Sequence, residues 1–154
     1  MINTPSVRSV YMVVLMQENL EQALAFYQML GLKKIFYIPE KWAELETNGV
    51  RIGLCPTSQV QKGTHTGVVF EIDDMQALHE QLTAQGIEFA TAPVTATHGI
   101  MASCFDPSGN KIDLYQPTHH KVKSVLDEAH NNDCCDEEGE EKEDECCGSK
   151  KACC

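Results

Sequence analysis

Apolar residues recur at helical spacing in two stretches of the chain. Leu20, Ala23, Leu24, Tyr27 and Leu30 fall on one helix face, and Met75, Leu78 and Leu82 fall on another. Asn19 is placed to cap the first helix, and Gly31 sits where a left-handed closing residue belongs. Asp73 or Asp74 opens the second helix and Gly86 ends it. A strand-like apolar run precedes each helix, at residues 10–15 and 68–72. Three more follow each one, at 32–37, 42–46 and 50–54, then at 87–90, 100–105 and 111–115. Each half therefore reads strand–helix–strand–strand–strand.

The halves also align with one another. Leu20 to Gly31 and Met75 to Gly86 span the same interval at an offset of 55 residues. Gly49-Val50-Arg51-Ile52-Gly53-Leu54 matches Gly109-Asn110-Lys111-Ile112-Asp113-Leu114 at an offset of 60. The turns before these strands, Glu46-Thr47-Asn48-Gly49 and Asp106-Pro107-Ser108-Gly109, both end on a glycine suited to a tight hairpin. Helices, turns and strands matching in order point to a duplicated module.

Three segments then carry a family resemblance. The run from Leu20 through Phe26-Tyr27 to Leu30-Gly31-Leu32 resembles the helix signature of vicinal-oxygen-chelate proteins, the glyoxalase, bleomycin-resistance and extradiol-dioxygenase relatives. Phe70-Glu71-Ile72-Asp73-Asp74 resembles the strand-to-helix junction opening their second module. Phe105-Asp106-Pro107-Ser108-Gly109-Asn110, continuing to Tyr115, resembles their closing hairpin. The resemblance spans roughly residues 7–117. It implies an α+β fold of two βαβββ modules whose curved sheets enclose a ligand cleft, often completed in a homodimer.

In metal-dependent relatives, side chains on the first and last strands of each module hold a divalent ion. The resemblance places those positions at Met12, Gly53, Gly67 and Asp113, and the repeat pairs them in the same way. Asp113 alone suits a hard cation, so the usual centre is expected to be missing and no cofactor is expected in the cleft. A shift of one or two residues in the alignment would bring His65 into a ligand position, making it a candidate with Asp113; Glu44, Glu46 and Cys104 could also face inward and His98 could border the cleft mouth. Strand alternation puts Met12 and Val14 on one face with Arg51, Gly53, Asp113 and Tyr115, opposite a uniformly apolar set that includes Leu15, Ile52, Phe70 and Leu114. The mixed face reads as a ligand-lining surface, with Trp42 and Tyr115 available to stack on an organic molecule. The glycines would leave it room. Arg51 would pair with an anionic group, with Glu44 or with Asp113. Among relatives, the pattern most resembles the metal-free bleomycin-resistance branch, which binds a small molecule without chemistry. The alternative is a metal-dependent lyase, isomerase or dioxygenase, and the sequence leaves open whether the chain is an enzyme.

Charge divides the chain at its end. Residues 131–154 hold nine acids against three lysines, a net of −6 out of −11 for the whole chain. Such an acidic balance argues against a nucleic-acid partner. No apolar run is long enough for a membrane helix and the first residues lack a secretory pattern, so a cytoplasmic protein is expected. Residues 1–118 then form the two-module domain, and 119–154 an acidic tail expected to be disordered. Six cysteines stand there in vicinal pairs: Cys134-Cys135, Cys146-Cys147 and Cys153-Cys154. Neighbouring thiolates suit soft ions such as Zn(II), Cd(II), Cu(I) or As(III), and bridge one another only with strain. A second alternative therefore makes the tail the functional part, handling a metal or metalloid.

Overall fold

The computed structural model describes residues 7–118. The six tail cysteines and the proposed domain boundary's acidic side lie outside the described residues. In chain order the elements are β1 (Val13–Gln17), α1 (Leu20–Met29), β2 (Lys33–Ile38), β3 (Trp42–Thr47) and β4 (Val50–Pro56), then β5 (His65–Glu71), α2 (Met75–Ala84), β6 (Phe89–Thr95), β7 (Gly99–Phe105) and β8 (Lys111–Pro117). They form two four-stranded mixed sheets, ordered β1-β4-β3-β2 and β5-β8-β7-β6. In each, the first strand lies parallel to the last and the remaining pairs are antiparallel. This is the pair of βαβββ modules expected from the repeat.

The duplication extends to individual hydrogen bonds. Asn19 accepts from the Gln22 amide at 3.0 Å, and Asp74, not Asp73, accepts from the Ala77 amide at 3.0 Å. At the other ends, Gly31 and Gly86 take positive φ values of 93° and 79°. Leu32 donates to the Tyr27 carbonyl and Ile87 to the Leu82 carbonyl, so both helices end in the same glycine-closed motif. Between the caps, each helix lays its apolar stripe on the inner face of its own sheet. Leu15, Leu45, Ile52, Leu54, Ile112 and Leu114 are buried beneath Leu20, Ala23, Leu24, Met75 and Leu82.

The second module's closing turn locks onto the first module. Asp106, 4% exposed, accepts five hydrogen bonds. Its Oδ1 takes the Ser108 and Asn110 amides, and its Oδ2 takes Gln17 Nε2 (2.7 Å), Tyr27 Oη (2.9 Å) and Asn110 Nδ2 (2.9 Å). Asn110 Nδ2 also donates to the Met16 carbonyl, and the Glu18 amide donates to Ser108 Oγ. Burial, with the charge and hydrogen bond of Asp106, pushes the Tyr27 phenol far above its usual pKa, so it stays a proton donor. The corresponding first-module turn makes no such lock. There Glu46 only accepts from the Gly49 amide, in an exposed position.

Two strand starts differ from the apolar pattern. β1 begins at Val13, because residues 10–12 run outside the sheet and Val10 is 81% exposed. β5 begins three residues earlier than its apolar run, at His65. It carries an irregularity that the hydrophobic pattern does not encode. His65 pairs with Lys111 and Val69 with Asp113, so four residues of β5 oppose two of β8, and Gly67 adopts a φ of 73°. A glycine at positive φ is what such a bulge needs.

Candidate functional site

The faces of the two sheets turned away from the helices carry the mixed residues. Register fixes the set: Val14 opposite Gly53, Glu44 opposite Gly53, Ser103 opposite Asp113 and Met101 opposite Tyr115. Several apolar members stay about half exposed, among them Val14 (47%), Phe36 (41%), Ile38 (46%) and Val69 (52%). The opposite set is the core, so the alternation expected from sequence is present. Cys104 belongs to that core rather than to the cleft. It is fully buried, and burial, with the nearby charges of Asp106 and Asp113, pushes its thiol pKa up to about 12.

On the first module, Arg51 Nη1 donates to Glu44 Oε1 at 2.8 Å and to Tyr11 Oη at 3.2 Å. The guanidinium carbon also lies 5.4 Å from the Tyr11 ring centroid. Of Arg51's expected partners, Glu44 is therefore the one found. Glu44 is 4% exposed, so the pair keeps its anion inward and its cation outward. Beside it, Gly53 leaves no room. A Cβ there would fall 2.5 Å from Trp42 Cζ2 and 2.7 Å from Met12 Sδ. The space expected for a ligand at this glycine is filled by Trp42 and Met12. At Gly67, by contrast, nothing lies within 4 Å of a Cβ position.

On the second module, the β5 bulge swings His65 onto Asp113, with Nε2 2.6 Å from Oδ2. Ser103 Oγ donates to the other carboxylate oxygen at 2.7 Å. Burial acts to raise the Asp113 pKa. The hydrogen bonds from Ser103 and His65, with the charges of His65 and Lys111, outweigh it and hold the carboxyl below its usual range. His65 itself is half exposed and borders a hollow of about 390 Å³ shared with Val14, Met16, Val60, Gln61 and Asn110. Tyr115 Oη meets Nδ1 and the carbonyl of His98, both at 3.0 Å, so these two side chains act as one unit at the end of β8.

The four positions where metal-dependent relatives place ligands can now be tested. Met12 packs its sulfur against Gly53, the two glycines offer no side chain, and Asp113 has both oxygens engaged. The β5 bulge brings His65 and Asp113 together. Among the described residues, however, no three His, Cys, Asp or Glu side chains converge on a common point. Among the described residues of one chain, the donors at these positions are too few to hold a divalent ion.

Residues 10–114 match the model of the Glyoxalase/Bleomycin resistance protein/Dioxygenase superfamily. The chain belongs to this superfamily. An uncharacterised protein of Mycolicibacterium smegmatis is 28% identical over 108 residues, which cover 70% of this chain and 93% of that one. Among solved structures, the fosfomycin resistance protein FosX of Listeria monocytogenes superposes with a TM-score of 0.65 at 17% identity, covering 78% of this chain and 99% of that one. TnmS3, an antibiotic binding protein from Streptomyces sp. CB03234, superposes at 0.58 with 21% identity, covering 73% and 100%. At these identities the structural likenesses establish the shared fold. A Glu-to-Gln mutant of FosX has also been solved with Mn(II) and 1S,2S-dihydroxypropylphosphonic acid. No helix among the described residues is long and apolar enough to cross a membrane.

Sequence reasoning named Met12, Trp42, Glu44, Arg51, Gly53, Gly67, Asp113 and Tyr115 as cleft residues. The structure brings them into two clusters. Met12, Trp42, Glu44, Arg51 and Gly53 form one, joined by Tyr11. Asp113 forms the other with His65 and Ser103, while Tyr115 turns to His98 and Gly67 serves as the hinge of the bulge. Ser103 and Tyr11 were missed. Register against Asp113 is the signal that would have found Ser103; nothing in the strand pattern reaches Tyr11, which precedes β1.

Proposed function

We propose that this chain binds a small organic molecule on its concave face, without a metal ion held by cleft side chains. The observation that carries the reading is the filling of Gly53 by Trp42 and Met12. It removes one metal-ligand position and replaces it with aromatic and thioether surface. The fold suits this use, since one structural neighbour is described as an antibiotic binding protein. In this reading a homodimer completes the cleft, which light scattering would detect as twice the chain mass.

The test uses the full-length chain with the six tail cysteines replaced by serine, so that any bound metal reports on the cleft. It is dialysed against Mn(II), Fe(II) or Zn(II), analysed for metal, and screened for thermal stabilisation by small organic molecules. The expected result is no stoichiometric metal, and ligand-induced shifts that survive a chelator. Stoichiometric metal that is lost in His65→Ala would overturn the reading and restore the metal-dependent lyase, isomerase or dioxygenase.

One observation favours a second reading, in which the cleft also moves protons. In its neutral form His65 donates from Nε2 to the Asp113 carboxylate and keeps Nδ1 as an acceptor, while Ser103 fixes the carboxylate. Such an imidazole takes a proton from an acidic C–H of a bound molecule and returns one from solvent. Deuterium exchange into a bound carbon acid, abolished by His65→Ala, would support it. Exchange at the uncatalysed rate would refute it.

The tail forms a separate part of the proposal. We infer from its three vicinal cysteine pairs that it binds a soft ion or As(III). Cd(II) added to the reduced full-length chain should give thiolate charge-transfer absorbance that is lost when the six cysteines become serines. Equal absorbance in both would disprove it.

A further inference from the structure

We infer that the molecule bound on the first module is a flat aromatic acid, its ring set against Trp42 and its anionic group held by Arg51. This rests on the small-molecule reading above and names the ligand class for that site. Trp42, the one tryptophan of the chain, is half-buried and seated across the Gly53 backbone, where no Cβ could fit beneath it. Met12 Sδ approaches the same point, so the indole and the thioether together fill the space over Gly53. Val14, Phe36 and Ile38 surround it on the same face, each more than 40% exposed. A partly buried indole within an exposed apolar patch presents an edge that an aromatic ring can cover.

The polar end of the site comes from the same strands. Arg51 stands two residues from Gly53 on β4, about 6–7 Å along the strand. Its side chain is 45% exposed whereas that of Glu44 is 5% exposed, so the solvent-facing end of the ion pair is the cation. The pair's hydrogen bonds use Nη1 alone, which leaves the other two nitrogens of the fork without a partner among the described residues. A guanidinium fork of this kind matches a carboxylate through paired N–H bonds. Two nearby groups would repel an anion: Glu44, whose carboxylate already pairs with Arg51 Nη1 from its buried position, and Glu46, the cross-strand partner of Arg51. The Glu46 carboxylate is drawn to the turn by the Gly49 amide at 2.8 Å. Tyr11 supports the guanidinium through its ring and hydroxyl, which limits how far Arg51 swings toward bulk water.

The experiment is calorimetric titration of the full chain with three probes: naphthoate, its neutral amide naphthamide, and cyclohexanecarboxylate. Trp42 emission, corrected for absorption by each probe, locates the binding. Naphthoate is expected to bind at least tenfold tighter than either control, with saturable quenching of Trp42. Arg51→Gln alone would strand the buried Glu44, so the charge test uses Arg51→Gln combined with Glu44→Gln. In that variant the acid should lose its advantage over the amide while quenching persists. Trp42→Leu should weaken naphthoate and leave cyclohexanecarboxylate unchanged. Equal affinity for acid and amide, or binding without any change at Trp42, would overturn the assignment. If other organic molecules still stabilise the protein in that case, the ligand class alone has failed. If none does, the small-molecule reading has failed with it.

Discussion

Asp106 and Glu46 occupy matching positions in the two modules, and the structure makes them energetically unequal. Replacing Asp106 by alanine leaves Gln17 Nε2, Tyr27 Oη and the Ser108 and Asn110 amides without their acceptor in the interior. Each buried donor left unsatisfied costs about 1–3 kcal/mol, less where water enters the space vacated. The loss should therefore be on the order of 4 kcal/mol, a large share of the stability of a domain this size. Asp106→Asn tests the reasoning more sharply because it keeps the shape. Whichever way the amide turns, its NH2 group faces donors, so this variant should lose about 3 kcal/mol. Glu46→Ala removes one exposed bond and should cost less than about 1 kcal/mol. Urea unfolding of the full chain, followed by circular dichroism, measures all three. With a slope of about 2 kcal/mol/M, the Asp106 variants should shift the midpoint by roughly 1.5–2 M. Near-equal costs for Asp106→Asn and Glu46→Ala would refute the inter-module lock.

Four further outcomes follow from the packing and charge. Gly53→Ala should shift Trp42 emission toward the red and cost about 1 kcal/mol, because the indole is able to swing outward. Gly99→Ala should cost roughly 2–3 kcal/mol, because its Cβ meets the Gln116 carbonyl, which cannot move away as a side chain does; equal costs in urea unfolding would argue against this contrast. With the tail cysteines and Cys55 replaced, Cys104 should resist a thiol reagent near neutral pH and react once the chain unfolds, since burial has pushed its pKa up to about 12. Asp113 titrates below its ordinary value of 3.8, so its contribution to stability is complete above that value and is lost as pH falls through the lower folded one. Acid unfolding should thus show Asp113→Asn less stable than wild type at pH 5, with the gap narrowing as the medium is acidified below 3.8. A gap that widened on acidification would reverse the assigned shift.

The repeat was legible because helix caps and strand alternation are local. Asn19 and Gly31 announce a helix in any context, and Leu15, Ile52 and Leu114 declare a buried face by their spacing. The site was legible only where it obeys the same alternation, as at Glu44, Arg51 and Asp113. His65 was named as a candidate, but its contact with Asp113 was not legible, because a bulge changes which residue faces which without changing composition, and Gly67 signals a positive φ only after the pairing is known. The alternation also misleads at Gly53. A glycine in a strand reads as open space, yet whether that space stays open depends on Trp42, eleven residues away on the neighbouring strand. The Asp106 lock lies furthest from sequence, since Gln17 and Tyr27 meet it across 89 and 79 residues. Tyr27 had been assigned to the apolar stripe and is fully buried as that assignment requires, but its hydroxyl is what ties the modules together. Binary patterning records that a side chain goes inward and not what its polar atom finds there. A chain can therefore keep the superfamily's fold while its cleft changes chemistry: the caps and stripes that specify the modules are separate residues from Gly53, Trp42 and Arg51, and substitution at one set leaves the other intact.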